Sequence, residues 1–172
     1  MRRFSTWSLL ALSILLVPQL RADGIDLFTY TVNTTTIQWE MDASPTPSPG
    51  DYVLGYYFAF DNVPYSVNGV ADTGYIPFLN GVNYAGGFTI VSDSTHMEDA
   101  EAYFANLYSG SEDAPTFLLG TFTLSDPHNT DPNGNWGIGT LTISPIPEPT
   151  SLMLLGTGLA GLTGLIRRVL NR

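Results

Sequence analysis

The chain has 172 residues, 6 Lys+Arg against 16 Asp+Glu, a formal charge of −10 and no cysteine. All six cations are arginines near the ends (Arg2, Arg3, Arg21, Arg167, Arg168 and Arg172), and every acid lies between Asp23 and Glu148. The composition excludes disulfides, thiol nucleophiles and cysteine-held metals, and it excludes nucleic acid as a partner, since phosphate binding needs cations.

The first element is a secretory signal over residues 1–22. Arg2 and Arg3 form its positive region, Leu9 to Val17 its apolar region, and Pro18 breaks the helix. Ala22 supplies the small residue for cleavage. The twin arginines run directly into Phe4, which favours general secretion over a twin-arginine route.

Residues 23–145 read as one extracytoplasmic domain. It is long enough to bury a core and has few charges and frequent turn signals. With no Lys or Arg there, its carboxylates must be solvated, hydrogen-bonded or metal-bound. Phe28, Tyr30 and Val32 alternate with threonines, and Ile37, Trp39 and Met41 repeat the pattern after a turn at Asn33–Thr36, which predicts a hairpin. Ala43 to Gly50 holds three prolines and reads as a loop. Tyr52 to Phe60 reads as one aromatic strand. Val63, Tyr65 and Val67 form another, ending at Asn68-Gly69, a pair suited to the positive φ angles of a tight hairpin. Short strands follow at Ile76–Phe78 and Phe88–Val91. Met97 to Tyr108 mixes helix formers with aromatics and is expected to be an exposed acidic turn leading into a strand. Thr116 to Ser125 reads as one strand, Asp126 to Asn135 as a polar turn, and Trp136 to Ile143 as the last strand. About eight or nine short strands predict an all-β fold, a single β-sandwich, flanked by the signal peptide and a C-terminal transmembrane helix.

Little in the body points to catalysis. His96 and His128 lie in polar turns, and the nearness of Asp93 and Ser94 to His96 in sequence does not make a triad. Glu98, Asp99 and Glu101 are interrupted by Ala100 and Ala102, so they do not form a paired acid and base for glycoside cleavage. Asn129-x-Asp131-x-Asn133-Gly134 has the opening of a calcium loop, but Thr140 stands where a closing glutamate is needed. Phosphate-loop and dinucleotide fingerprints are missing, so the expectation is a non-enzyme without a cofactor. Trp39, Trp136 and the aromatics Tyr56, Tyr57, Phe58 and Phe60 are either core or, where exposed, platforms for sugar rings.

Residues 146–172 form the last segment. Pro147-Glu148-Pro149 precedes an uncharged apolar run over 150–166, which as a helix spans roughly 25 Å, close to the minimum for a bilayer. Such a run must be helical in lipid. Gly156, Ala160 and Gly164 give it one smooth face. Arg167 and Arg168 close it and keep that end on the cytoplasmic side, with the body outside.

This order of parts resembles the PEP-CTERM sorting signal of exported proteins in exopolysaccharide-producing Gram-negative bacteria. The resemblance covers about the last twenty-five residues and departs from the pattern only in Val169-Leu170-Asn171, which interrupt the basic end. It implies export, transient residence in the inner membrane, and processing near Pro147-Glu148-Pro149 by a membrane-embedded exosortase. Arg167 and Arg168 would serve retention, and the product would go to the envelope, cell surface or extracellular matrix. A carbohydrate-binding module for the exopolysaccharide and a calcium-dependent adhesive domain are the alternatives for the body's role.

Overall fold

A computed structural model describes residues 24–83, 85–127, 134 and 136–147. The signal segment with Ala22, the run over 150–166, Glu148, Pro149, Arg167, Arg168, His128 and the segment Asn129–Asn133 lie outside the described residues. Among the described residues no helix is long and apolar enough to cross a membrane.

Among the described residues the body is all-β, with eleven strands. They are β1 (Ile25–Val32), β2 (Thr35–Asp42), β3 (Tyr52–Val53), β4 (Tyr57–Val67), β5 (Val70–Leu79), β6 (Gly87–Ser92), β7 (Glu98–Tyr103), β8 (Tyr108–Ser111), β9 (Ala114–Phe117), β10 (Gly120–Asp126) and β11 (Gly137–Pro145). The two tight turns arise where expected. Asn33 sits at φ 52 between β1 and β2, and Asn68 and Gly69 sit at φ 50 and 81 between β4 and β5. Both central residues of the second turn need the left-handed region, which asparagine and glycine enter most cheaply.

The expected two-sheet sandwich is replaced by one sheet closed on itself. Its strand order is β2-β1-β11-β10-β7-β6-β5-β4-β3, and β2 also pairs with β4. That last pairing joins Ile37–Trp39 to Val67–Tyr65 and completes a ring of eight antiparallel strands. Inward–outward alternation is the same in a sandwich and a barrel, so strand periodicity cannot separate them. The long-range partner of β2 decides. Closure also covers most of the edges a sandwich would leave open, apart from β3 and the end of β2 beyond Trp39.

Three predicted elements change at their boundaries. The Tyr52–Phe60 run is broken: β3 ends at Val53 and the chain turns through Gly55 at φ 77, with the Tyr56 N–H donating to Val53 O at 2.9 Å. The 116–125 strand is split at Leu118-Leu119 into β9, which pairs with β8, and β10, which pairs with β11. The acidic stretch from Glu98 is strand β7 and not a turn. Ala100 and Ala102 point into the core beside β6, and the register slips between Ile90 and Val91, leaving Asp99 as the extra residue of a bulge. Pairing and burial of two small side chains override the local helical preference there.

Inside the ring the core is aromatic. Phe28 stacks on Trp39 at 5.0 Å and meets Phe117 edge-on at 4.7 Å, and Phe58 stacks on Phe78 at 5.2 Å. With no cation available, buried acids are held by neutral donors. Tyr30 Oη donates to Asp126 at 3.0 Å. Glu112 accepts from the Gly55 N–H at 2.9 Å, from Asn80 Nδ2 at 2.5 Å and from Tyr108 Oη at 3.0 Å.

Candidate functional site

Two surfaces carry candidate functional residues. The first is the exit of the chain. Strand β11 is paired on both sides, with β1 and β10, as far as Pro145 and Ile143. The Ile146 N–H donates to Ile25 O at 2.8 Å, and Pro147 is then exposed. The tail therefore leaves from a firmly held strand, and its first proline is open to solvent.

The second surface lies where β7, β10 and β11 meet. Tyr103 opposes Ser125, and Ser125 opposes Ile138. Trp136 lies just before β11 and is exposed. Phe104 follows Tyr103 at φ 73, a conformation rare and costly for a bulky residue. It is 60% exposed, and its ring lies 5.8 Å from that of Trp136, itself 45% exposed, with 24° between the planes. Tyr103 flanks both, at 6.4 Å from Phe104 and 6.3 Å from Trp136. Its hydroxyl donates to Glu101, and burial followed by that bond pushes its pKa up to about 12. Of the predicted aromatic platforms only Trp136 belongs here. Trp39 is 2% exposed and Phe58 fully buried, Tyr57 and Phe60 are half-buried, and Tyr56 is exposed in the β3–β4 turn. Sequence reasoning missed Phe104 and Tyr103: Tyr103 faces outward only once Glu98–Tyr103 is a strand with Ala102 inward, and Phe104 projects at the bend that follows.

A protein-family model for the PEP-CTERM protein-sorting motif matches residues 145–168. The chain carries a PEP-CTERM sorting signal. The motif implies export, membrane-linked sorting and processing of the exosortase type. It begins at the last residue of β11, so the PEP-CTERM segment follows the barrel with no intervening linker. No match was found among curated proteins or among solved structures.

Among the described residues the remaining candidates form no reactive constellation. His96 is exposed at φ 57 between β6 and β7, and Ser94 donates to Asp72 at 2.7 Å. Asp72 also accepts from Ser92 at 2.7 Å and from the Thr73 N–H. The Ser92 and Ser94 hydroxyls, then the Thr73 N–H, hold its carboxyl below the usual range. Asp99 accepts from Tyr65 Oη at 2.5 Å, while Glu98 is exposed on the outer surface. Among the described residues no group of three His, Cys, Asp or Glu is placed to hold a metal.

Proposed function

We propose that this is an exported, non-enzymatic surface or matrix protein, an acidic β-barrel delivered and processed through its PEP-CTERM tail. The observation that carries the reading is the match at 145–168, starting at the end of a strand still paired with β1 and leading at once into an exposed Pro147. An exosortase-type enzyme in the inner membrane is the partner. Pro147, Glu148 and Pro149 are its recognition element, and Arg167 and Arg168 retain the apolar run until it is cut. The finished barrel then goes to the envelope, the cell surface or the matrix.

The test is a Pro147/Glu148/Pro149→Ala variant expressed in its own host, followed by fractionation and intact-mass measurement. The variant is expected to accumulate unprocessed in the membrane fraction. Wild-type mass and location in the variant would remove the reading.

A second reading concerns what the delivered barrel does. The Tyr103–Phe104–Trp136 cluster supports binding of a neutral saccharide, since exposed, flat aromatic faces without nearby cations suit the apolar face of a sugar ring. Exopolysaccharide from the host is the polymer to test, by affinity electrophoresis. Trp136→Ala, a change at an exposed site, should leave the melting temperature nearly unchanged. Loss of stacking worth about 1.4 kcal/mol would weaken retention roughly tenfold. Equal retention of wild type and a Phe104/Trp136 double-alanine variant would dispose of it.

A further inference from the structure

The ring closes along only part of β2. Pairing with β4 covers Ile37–Trp39 and then stops, and the sequence explains why. The two-residue turn at Asn68-Gly69 makes Val67 and Val70 a hydrogen-bonded pair, so Ser66 and Pro64 turn their backbone groups away from β5 and toward β2. The same alternation from the Asn33-Thr34 turn points the backbone groups of Gln38, Glu40 and Asp42 toward β4. The next pair would be Glu40 with Pro64. Proline has no N–H to give. Immediately before it, β4 bulges between Phe60 and Val63, with Asn62 at φ 54. The strands part at that point. Beyond Trp39, β2 keeps its other edge paired with β1 as far as Asp42, while its edge toward β4 has no strand partner among the described residues.

The parting opens a groove of about 730 Å3. Leu27, Met41, Phe60 and Val63 line it with apolar surface, and Glu40, Asp42 and Asp61 place carboxylates around it. Trp39 also lines it. Its indole Nε1 is the one buried side-chain nitrogen or oxygen among the described residues without a hydrogen-bond partner. The groove therefore combines an open strand edge, apolar walls and negative charge.

We propose that this groove receives an extended, basic peptide segment of a partner protein, which adds to the free edge of β2 at Glu40–Asp42. Strand addition satisfies the backbone groups that Pro64 leaves unmatched, and alternate side chains of the incoming segment enter the groove. Lysines or arginines on that segment complement Glu40, Asp42 and Asp61, for which the body holds no cation. A second copy of this acidic body is disfavoured by the same charge. None of the described residues of the tail or of the aromatic cluster lines the groove, although Ile25, which does, accepts from the Ile146 N–H where the tail begins.

The experiment uses the full chain in detergent and a fluorescein-labelled peptide of alternating lysine and valine, with binding read by anisotropy at low salt. Three comparisons follow. A peptide N-methylated at the residues that face the edge keeps its charge and loses its donors; it should bind about tenfold more weakly or worse. Pro64→Val restores an N–H for the β2–β4 ladder and should also weaken binding about tenfold, with a melting temperature equal to or above wild type. A peptide of alternating glutamate and valine should not bind. Failure of the lysine–valine peptide to bind, or undiminished binding of its N-methylated form, overturns the proposal, the second result pointing to charge attraction alone. Displacement of the peptide by a neutral oligosaccharide overturns it too, by assigning the groove to a glycan.

Discussion

Gly87→Ala is expected to lower the stability of the barrel by about 4 kcal/mol, from two penalties of roughly 1–3 kcal/mol each for backbone strain and overpacking. Gly87 opens β6 at φ 117, where an L side chain is strained whatever the surrounding space. A Cβ there would also lie 2.0 Å from Ala102 O and 2.8 Å from Tyr103 Cα. Both atoms are backbone of β7, so no rotamer change relieves the contact. Relief requires β6 and β7 to separate where Gly87 pairs with Tyr103. Urea denaturation of wild type and variant gives the difference. Loss of less than 1 kcal/mol would mean that the two strands do not approach this closely. The same change should loosen the Tyr103–Phe104–Trp136 cluster, because that pairing sets where the chain bends outward.

Glu112→Gln is expected to cost about 2 kcal/mol near neutral pH, in the range for hydrogen bonds to a charged group. Glu112 is buried in the turn between β8 and β9, and its two oxygens receive three donors, from the β3–β4 turn, the loop after β5 and the start of β8. One oxygen faces the Gly55 N–H, the other Asn80 Nδ2 and Tyr108 Oη. Whichever way a glutamine amide is turned, its NH2 meets a donor.

The pH dependence follows from the same contacts. Burial pushes the Glu112 carboxyl up, but the hydrogen bonds from Gly55, Asn80 and Tyr108 outweigh it and leave the pKa below the ordinary 4.5. A carboxyl lowered on folding stabilises the native state above its unfolded pKa and loses that contribution as pH falls through the folded value. Wild type should therefore lose stability from about pH 4.5 downward, and the variant should show a shallower fall over that window. Thermal melts at pH 7, 5 and 3 compare the two slopes. Parallel curves would show that Glu112 contributes nothing to the acid response.

Part of the candidate site could be read from residue order. Trp136 is a platform candidate as one of the body's large aromatics, and it is exposed. Trp39 was a candidate on equal terms and is core, because its inward face is set by pairing with Phe28 across the first hairpin. Phe104 carried no signal. Its positive φ and its stacking on Trp136 arise where β7 ends after a single pairing with β10. Pro64 and the Asn62 bulge were visible as residues, but their consequence for β2 appears only when β4 lies beside it.

What the sequence determined by itself was local chemistry and the handling of the chain. The two hairpins at Asn33 and Asn68-Gly69 follow from turn residues between alternating strands. The all-β character follows from that alternation. The PEP-CTERM assignment follows from contiguous residues read in order, and hydrogen bonding of the body's acids follows from a body without cations. The tertiary structure alone decided that the sheet closes on itself, that Glu98–Tyr103 is a strand, which aromatics face solvent, and that β2 and β4 part beyond Trp39. Each of these depends on a partner far away in the chain. Periodicity fixes which side chains share a face, but the neighbour that covers the face is chosen by packing over the whole ring.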